Sequence, residues 1–126
     1  MKTLALDFDG VIHSYVSGWK HAGVCEDPPV PGAMAALQEY VKKYTVCIFS
    51  SRSADMDGIE AMKRYIRLNL VDEFGDSVGL HIFSKLKFPM DKPPAHLTID
   101  DRGFQFNGEF PTVEYIEEFK PWNKRG

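Results

Sequence analysis

A chain of 126 residues, 44% apolar and 26% charged, has the size and balance of one ordinary globular domain, which excludes disordered and collagen-like classes. Its net charge of −3, from 15 basic and 18 acidic residues, demands no nucleic-acid partner. Two cysteines, Cys25 and Cys47, are too few for a disulfide framework and fit a reducing compartment. The apolar stretch before Asp7 is too short for a signal sequence or a membrane span, so the expectation is a cytoplasmic protein with no membrane partner.

In chain order, residues 3–8 read as a short, almost continuously apolar strand, the pattern of a strand buried on both faces of a parallel sheet. A stretch without periodicity follows over 10–31, carrying Gly18, Trp19, Gly23, Pro28, Pro29 and Pro31. Irregular loops of that length tend to be functional, so 11–31 is a candidate flap. Pro31-Gly32 opens a helix to about Tyr44, with Met34, Leu37, Val41 and Tyr44 at helical spacing. Residues 45–49 form a second apolar strand that ends at Ser50-Ser51-Arg52-Ser53. Asp55 or Asp57 can cap the next helix, whose buried stripe is Ile59, Met62, Ile66 and Leu70. Residues 80–83 are a third, weaker strand candidate. Residues 96–99 form a fourth, ending at Asp100-Asp101. The tail carries a turn at Asn107-Gly108 and a last helix over about 112–119, stopped by Pro121. Strands alternating with helices predict a single α/β domain over 1–126 with a mostly parallel sheet and helices on both faces.

In open parallel sheets, ligands bind at the carboxyl ends of the strands. Three predicted strands end there in reactive groups: Asp7-Phe8-Asp9, Ser50-Ser51 and Asp100-Asp101. Asp7 and Asp9 share one side if the extended geometry continues, and Gly10 lets the chain leave sharply. Two carboxylates so close either cap a turn or hold a cation between them. The further acids at the end of another strand favour the cation. A hard, all-oxygen site suits Mg²⁺.

The residues Leu4-Ala5-Leu6-Asp7-Phe8-Asp9-Gly10-Val11, Val46-Cys47-Ile48-Phe49-Ser50 and Leu97-Thr98-Ile99-Asp100-Asp101 stand in the order of the haloacid dehalogenase superfamily motifs. The chain resembles that superfamily over residues 4–101. The resemblance implies a three-layer α/β/α Rossmann-like core and a Mg²⁺-dependent phosphomonoester hydrolase. Asp7 would be the nucleophile that becomes an aspartyl-phosphate, and Asp9 the general acid and then base. The cation would be held by Asp7, the Asp9 backbone carbonyl and Asp101, with Asp100 behind them or acting through water. Ser50 would bind a phosphoryl oxygen, helped by backbone N–H groups near Val11 and Ser51. A lysine completes the pattern: Lys92 before Pro93-Pro94, or else Lys85 or Lys87. The second aspartate favours phosphoryl chemistry over dehalogenation, because a halide leaving group needs no proton.

Neither gap between motifs has room for a separate cap domain. His13, Tyr15, Trp19, Lys20 and His21 of the loop either touch a leaving group or, for Tyr15 and Trp19, pin the loop to the core. The acids already supply a hard oxygen site, so His13 and His21 are not expected as ligands. The pairing of Ser50-Ser51-Arg52 with Ile99-Asp100-Asp101-Arg102 is similar to the 3′-phosphatase domains of phage polynucleotide kinases, although Ser51 stands where those usually carry Gly. In that resemblance Arg52 binds the substrate phosphate. The expected partner is a phosphorylated substrate: a nucleotide, a nucleic-acid 3′-phosphate or another phosphomonoester. Two alternatives remain, a phosphotransferase or phosphomutase of the same superfamily and a non-catalytic binding module. The oligomeric state is left open.

Overall fold

A computed structural model describes residues 1–124. It contains β1 (Thr3–Leu6), α1 (Ala33–Tyr40), β2 (Thr45–Ile48), α2 (Met56–Phe74), α3 (Asp76–Ser84), β3 (Leu86–Lys87), β4 (Leu97–Ile99) and α4 (Val113–Glu118). Short 3₁₀ turns lie at Ser51–Ala54 and Trp122–Lys124. The strands form one all-parallel sheet in the order β3-β2-β1-β4. This is an α/β, Rossmann-like layout. Among the described residues no helix is long and apolar enough to cross a membrane.

The register explains which residues meet. Leu4 pairs with Val46 and Leu97, and Leu6 with Ile48 and Ile99. Successive strand residues face opposite sides, so Leu4, Leu6, Val46, Ile48 and Leu86 form one apolar face. They join Met34 and Leu37 of α1, Met62, Ile66 and Leu70 of α2, and Ile82 of α3 in a single buried cluster. Each such side chain contributes about 1.5–3 kcal/mol when fully buried.

The third strand is not where the apolar run suggested. Residues 80–83 lie inside α3, and the strand follows as the two residues of β3. A short apolar run has no period of its own to separate strand from helix. Here Gly79 and Ile82 are buried three positions apart, while Val78 and Leu80 are exposed, which is a helical face. α1 also ends earlier than expected, at Tyr40, and residues 41–43 turn into β2.

α3 packs tightly on α2 because position 79 has no side chain. A Cβ on Gly79 would stand 2.8 Å from the Leu70 carbonyl group and the Val71 Cα. Gly79→Val is therefore expected to destabilise the fold by about 2 kcal/mol through overpacking, read as a lower urea midpoint at unchanged slope. The tail is packed less: α4 has no buried residue, and Phe106 and Phe110 meet each other at 4.9 Å while staying exposed. The turn expected at Asn107-Gly108 is present, with Asn107 Oδ1 accepting from the Glu109 N–H at 3.1 Å.

Candidate active site

β1 lies between β2 and β4, so the chain steps away from it in one direction through β2 and β3 and then returns on its other side. The crevice at such a reversal lies beyond the carboxyl ends of the strands. Two backbone bonds extend the ladders just past the strands: Asp7 N–H to Ile99 O at 2.9 Å and Phe49 N–H to Leu6 O at 3.0 Å. Asp7, Ser50 and Asp100 consequently leave the sheet at nearly one level.

A cleft of about 310 Å³ opens there, lined by Asp7, Ser50, Ser51, Lys92, Asp100 and Asp101. Ala5 and Thr98 contribute its small-residue wall, and Arg102 stands beside the acids. Lys92 is the lysine that lines this cleft; Lys85 and Lys87 do not. Arg102 was not singled out from the sequence, although its place directly after the acidic pair was a usable signal.

Asp7, Asp100 and Asp101 each offer an oxygen within 4.8 Å of the others. Burial is the main reason the Asp7 carboxyl is pushed up to about 7; the N–H of Phe8, donating to Oδ1 at 2.8 Å, opposes it, and the charges of Asp100 and Asp101 reinforce it. Burial likewise raises Asp101, whose carboxyl interacts with that of Asp7. Three carboxyl groups so close together are a hard donor set whose mutual repulsion a divalent cation would relieve. The three residues thus fit Mg²⁺ by donor chemistry.

Gly10 shapes the floor. Its φ is +82°, and a Cβ there would run into the Asp101 carboxylate, so the turn after β1 lies directly against the acid. The Trp122 indole N–H donates to the Gly10 carbonyl at 2.8 Å, bringing the end of the described chain to the same turn.

Ser50 caps the 3₁₀ turn, its Oγ accepting from the Arg52 N–H at 3.0 Å. Among the described residues, the hydroxyl hydrogen is engaged only by the Met62 sulfur at 3.5 Å, a weak acceptor. Capping therefore leaves Ser50 able to donate to an oxyanion in the cleft.

Two side chains stand elsewhere than expected. Arg52, expected at the substrate phosphate, is 0% exposed and does not line the cleft. Its Nε and Nη2 donate to the two oxygens of Asp9 at 2.9 and 3.1 Å, and its Nη1 to the carbonyls of His21, Ala22 and Val24. A guanidinium so completely engaged has little left for a ligand. Asp9, whose carboxylate was expected at the leaving group and whose backbone carbonyl was expected at the metal, directs that carboxylate at Arg52 and His13. Burial pushes that carboxyl up, but the hydrogen bonds from His13 and Arg52 prevail and hold it below its ordinary value. The side-chain alternation of β1 stops at Leu6, where regular strand geometry ends, so Asp7 and Asp9 part company.

The 11–31 segment is anchored rather than loose. Short bridges pair His13 with Asp9 and with Pro29, the Trp19 ring lies 4.9 Å from the Arg52 guanidinium, and Tyr15 meets the His13 ring edge-on. His13 is turned inward and His21 gives its carbonyl to Arg52; neither belongs to the acidic cluster. No family model, curated protein or solved structure matches the chain.

Proposed function

We propose that the chain is a divalent-cation-dependent phosphomonoester hydrolase of haloacid dehalogenase type. The observation that carries this reading is the meeting of Asp7, Ser50, Lys92, Asp100 and Asp101 around one cleft at the sheet's reversal point. The Asp7 carboxylate attacks phosphorus, a P–O bond forms, and the ester oxygen departs with a proton from Asp9. Water then attacks phosphorus and gives its proton to Asp9, which frees Asp7 and inorganic phosphate. Ser50 and Lys92 stabilise the charge that develops on the transferring oxygens. Asp7, Asp100 and Asp101 would hold Mg²⁺, which when bound screens the anionic nucleophile from the anionic substrate. Protonating the leaving group requires Asp9 to turn from Arg52 toward the cleft.

The cleft is open and rimmed by two cations, Lys92 and Arg102, which suits nucleotides, 3′-phosphorylated oligonucleotides or other extended phosphomonoesters. Free thiols at Cys25 and Cys47 accord with a reducing, cytoplasmic setting. A release assay for inorganic phosphate over those substrate classes, with Mg²⁺ and then with excess chelator, tests the reading. Turnover is expected with the ion and background release without it. Turnover indifferent to the chelator, or none on any ester, overturns it.

A further inference from the structure

Arg52 and His13 are two of the most deeply buried polar side chains, at 0% and 1% exposure, and both end on Asp9. Each also holds a different part of the 11–30 loop. Arg52 takes the His21, Ala22 and Val24 carbonyls at 3.1, 2.7 and 3.0 Å. The Nε2 of His13 accepts from the Asp27 N–H at 3.1 Å, so the ring proton sits on Nδ1, which donates to Asp9 Oδ1 at 2.9 Å. The Asp27 carbonyl in turn accepts from the Tyr65 hydroxyl of α2 at 2.8 Å.

We propose that Arg52 and His13 are positioning residues that tie the conformation of the 11–30 loop to the placement of the Asp9 carboxylate. The proposal rests on the reading of Asp9 as the acid and base of a phosphatase. Asp9 does not line the cleft where it stands. Turning it there breaks the two-toothed contact with a buried guanidinium, and an unpaired buried charge is strongly unfavourable. Because the same guanidinium grips three loop carbonyls, Asp9 leaves only as the loop rearranges. An ester engaged by the loop thereby recruits its own proton donor, and an empty cleft keeps that donor withdrawn.

The test compares two substrates in the full chain. 4-Nitrophenyl phosphate has a leaving group that departs without a proton; glycerol 2-phosphate has one that needs it. His13→Leu is expected to lower kcat on the glycerol ester about 100-fold and on the aryl ester by less than about threefold. His13→Asn, which restores an N–H donor near the Nδ1 position, is expected to recover most of the loss. Asp9→Asn should give the same split, and adding His13→Leu to it should lower kcat no further. Equal losses on both esters overturn the proposal. An independent reading uses amide hydrogen exchange in Asp9→Asn. The Asp27 N–H is expected to exchange at least about tenfold faster while the amides of β1 and β2 stay protected. Unchanged exchange at Asp27 overturns the tie whether or not the protein releases phosphate. If the unaltered chain hydrolyses neither ester, the phosphatase reading fails, and exchange alone decides the link between loop and carboxylate.

Discussion

Asp7→Asn is expected to abolish phosphate release, by on the order of 10⁴-fold or more, while making the ion-free protein more stable at pH 8. The two effects have one origin. The carboxylate proposed to attack phosphorus is half-buried beside Asp100 and Asp101, and its folded pKa is raised to about 7 against an ordinary 3.8. A carboxyl raised on folding binds its proton more tightly in the native state than in the unfolded chain. Its effect on stability is therefore absent below pH 4, grows unfavourable as pH rises toward 7, and is complete above that. The difference of about three pKa units sets an upper bound on the order of 4 kcal/mol. Asparagine has no charge to bury and keeps an oxygen for the Phe8 N–H. Thermal melts in chelator should place the variant above the unaltered protein at pH 8 and level with it near pH 4. A variant that melts lower at pH 8, or that still turns over, would contradict the assignment of this side chain.

Magnesium is expected to raise the melting temperature strongly at pH 8 and barely at pH 5. Binding requires the proton on Asp7 to leave. With one proton displaced, apparent affinity falls about tenfold for each pH unit below about 7. At saturation near 100 times the dissociation constant, the gain is about 2.7 kcal/mol. Asp101→Asn should remove most of the shift. Asp9→Asn should retain it, because that carboxylate faces Arg52 and His13. Melts across MgCl₂ concentrations at several pH values provide the check. Shifts of equal size at pH 5 and pH 8, or a full shift in Asp101→Asn, would remove the case for a cation at this cluster.

The strand ends were legible from residue order because each is an apolar run closed abruptly by polar groups, and parallel topology brings such ends together. That reasoning brought Asp7, Ser50, Asp100 and Asp101 to one edge, where all four line one cleft; Lys92 lines it too, but only the resemblance had suggested it, beside Lys85 and Lys87. It could not see β3, since two residues, Leu86 and Lys87, are too few to display an alternation. Nor could it see Arg52 turned inward. That orientation depends on an irregular loop supplying three carbonyls, and backbone acceptors carry no signature in residue identity. His13 was weighed only as a ligand or a contact, and its burial follows from the same loop. The displacement of Asp9 was hidden for a different reason. Spacing by two implies a common side only while the chain stays extended, and β1 ends at Leu6.

β4 has consequences beyond geometry. It is three residues long, lies at the sheet edge, is bonded to β1 alone, and leaves Leu97 about half exposed. Its partner lies more than ninety positions earlier in the chain, so this pairing closes the longest loop in the sheet. Such an edge is the part of a domain that frays first in the native ensemble. Opening of this edge alone would carry two acids away from the third. The cluster at the cleft thus depends for two of its three acids on a short edge strand rather than on the helical core.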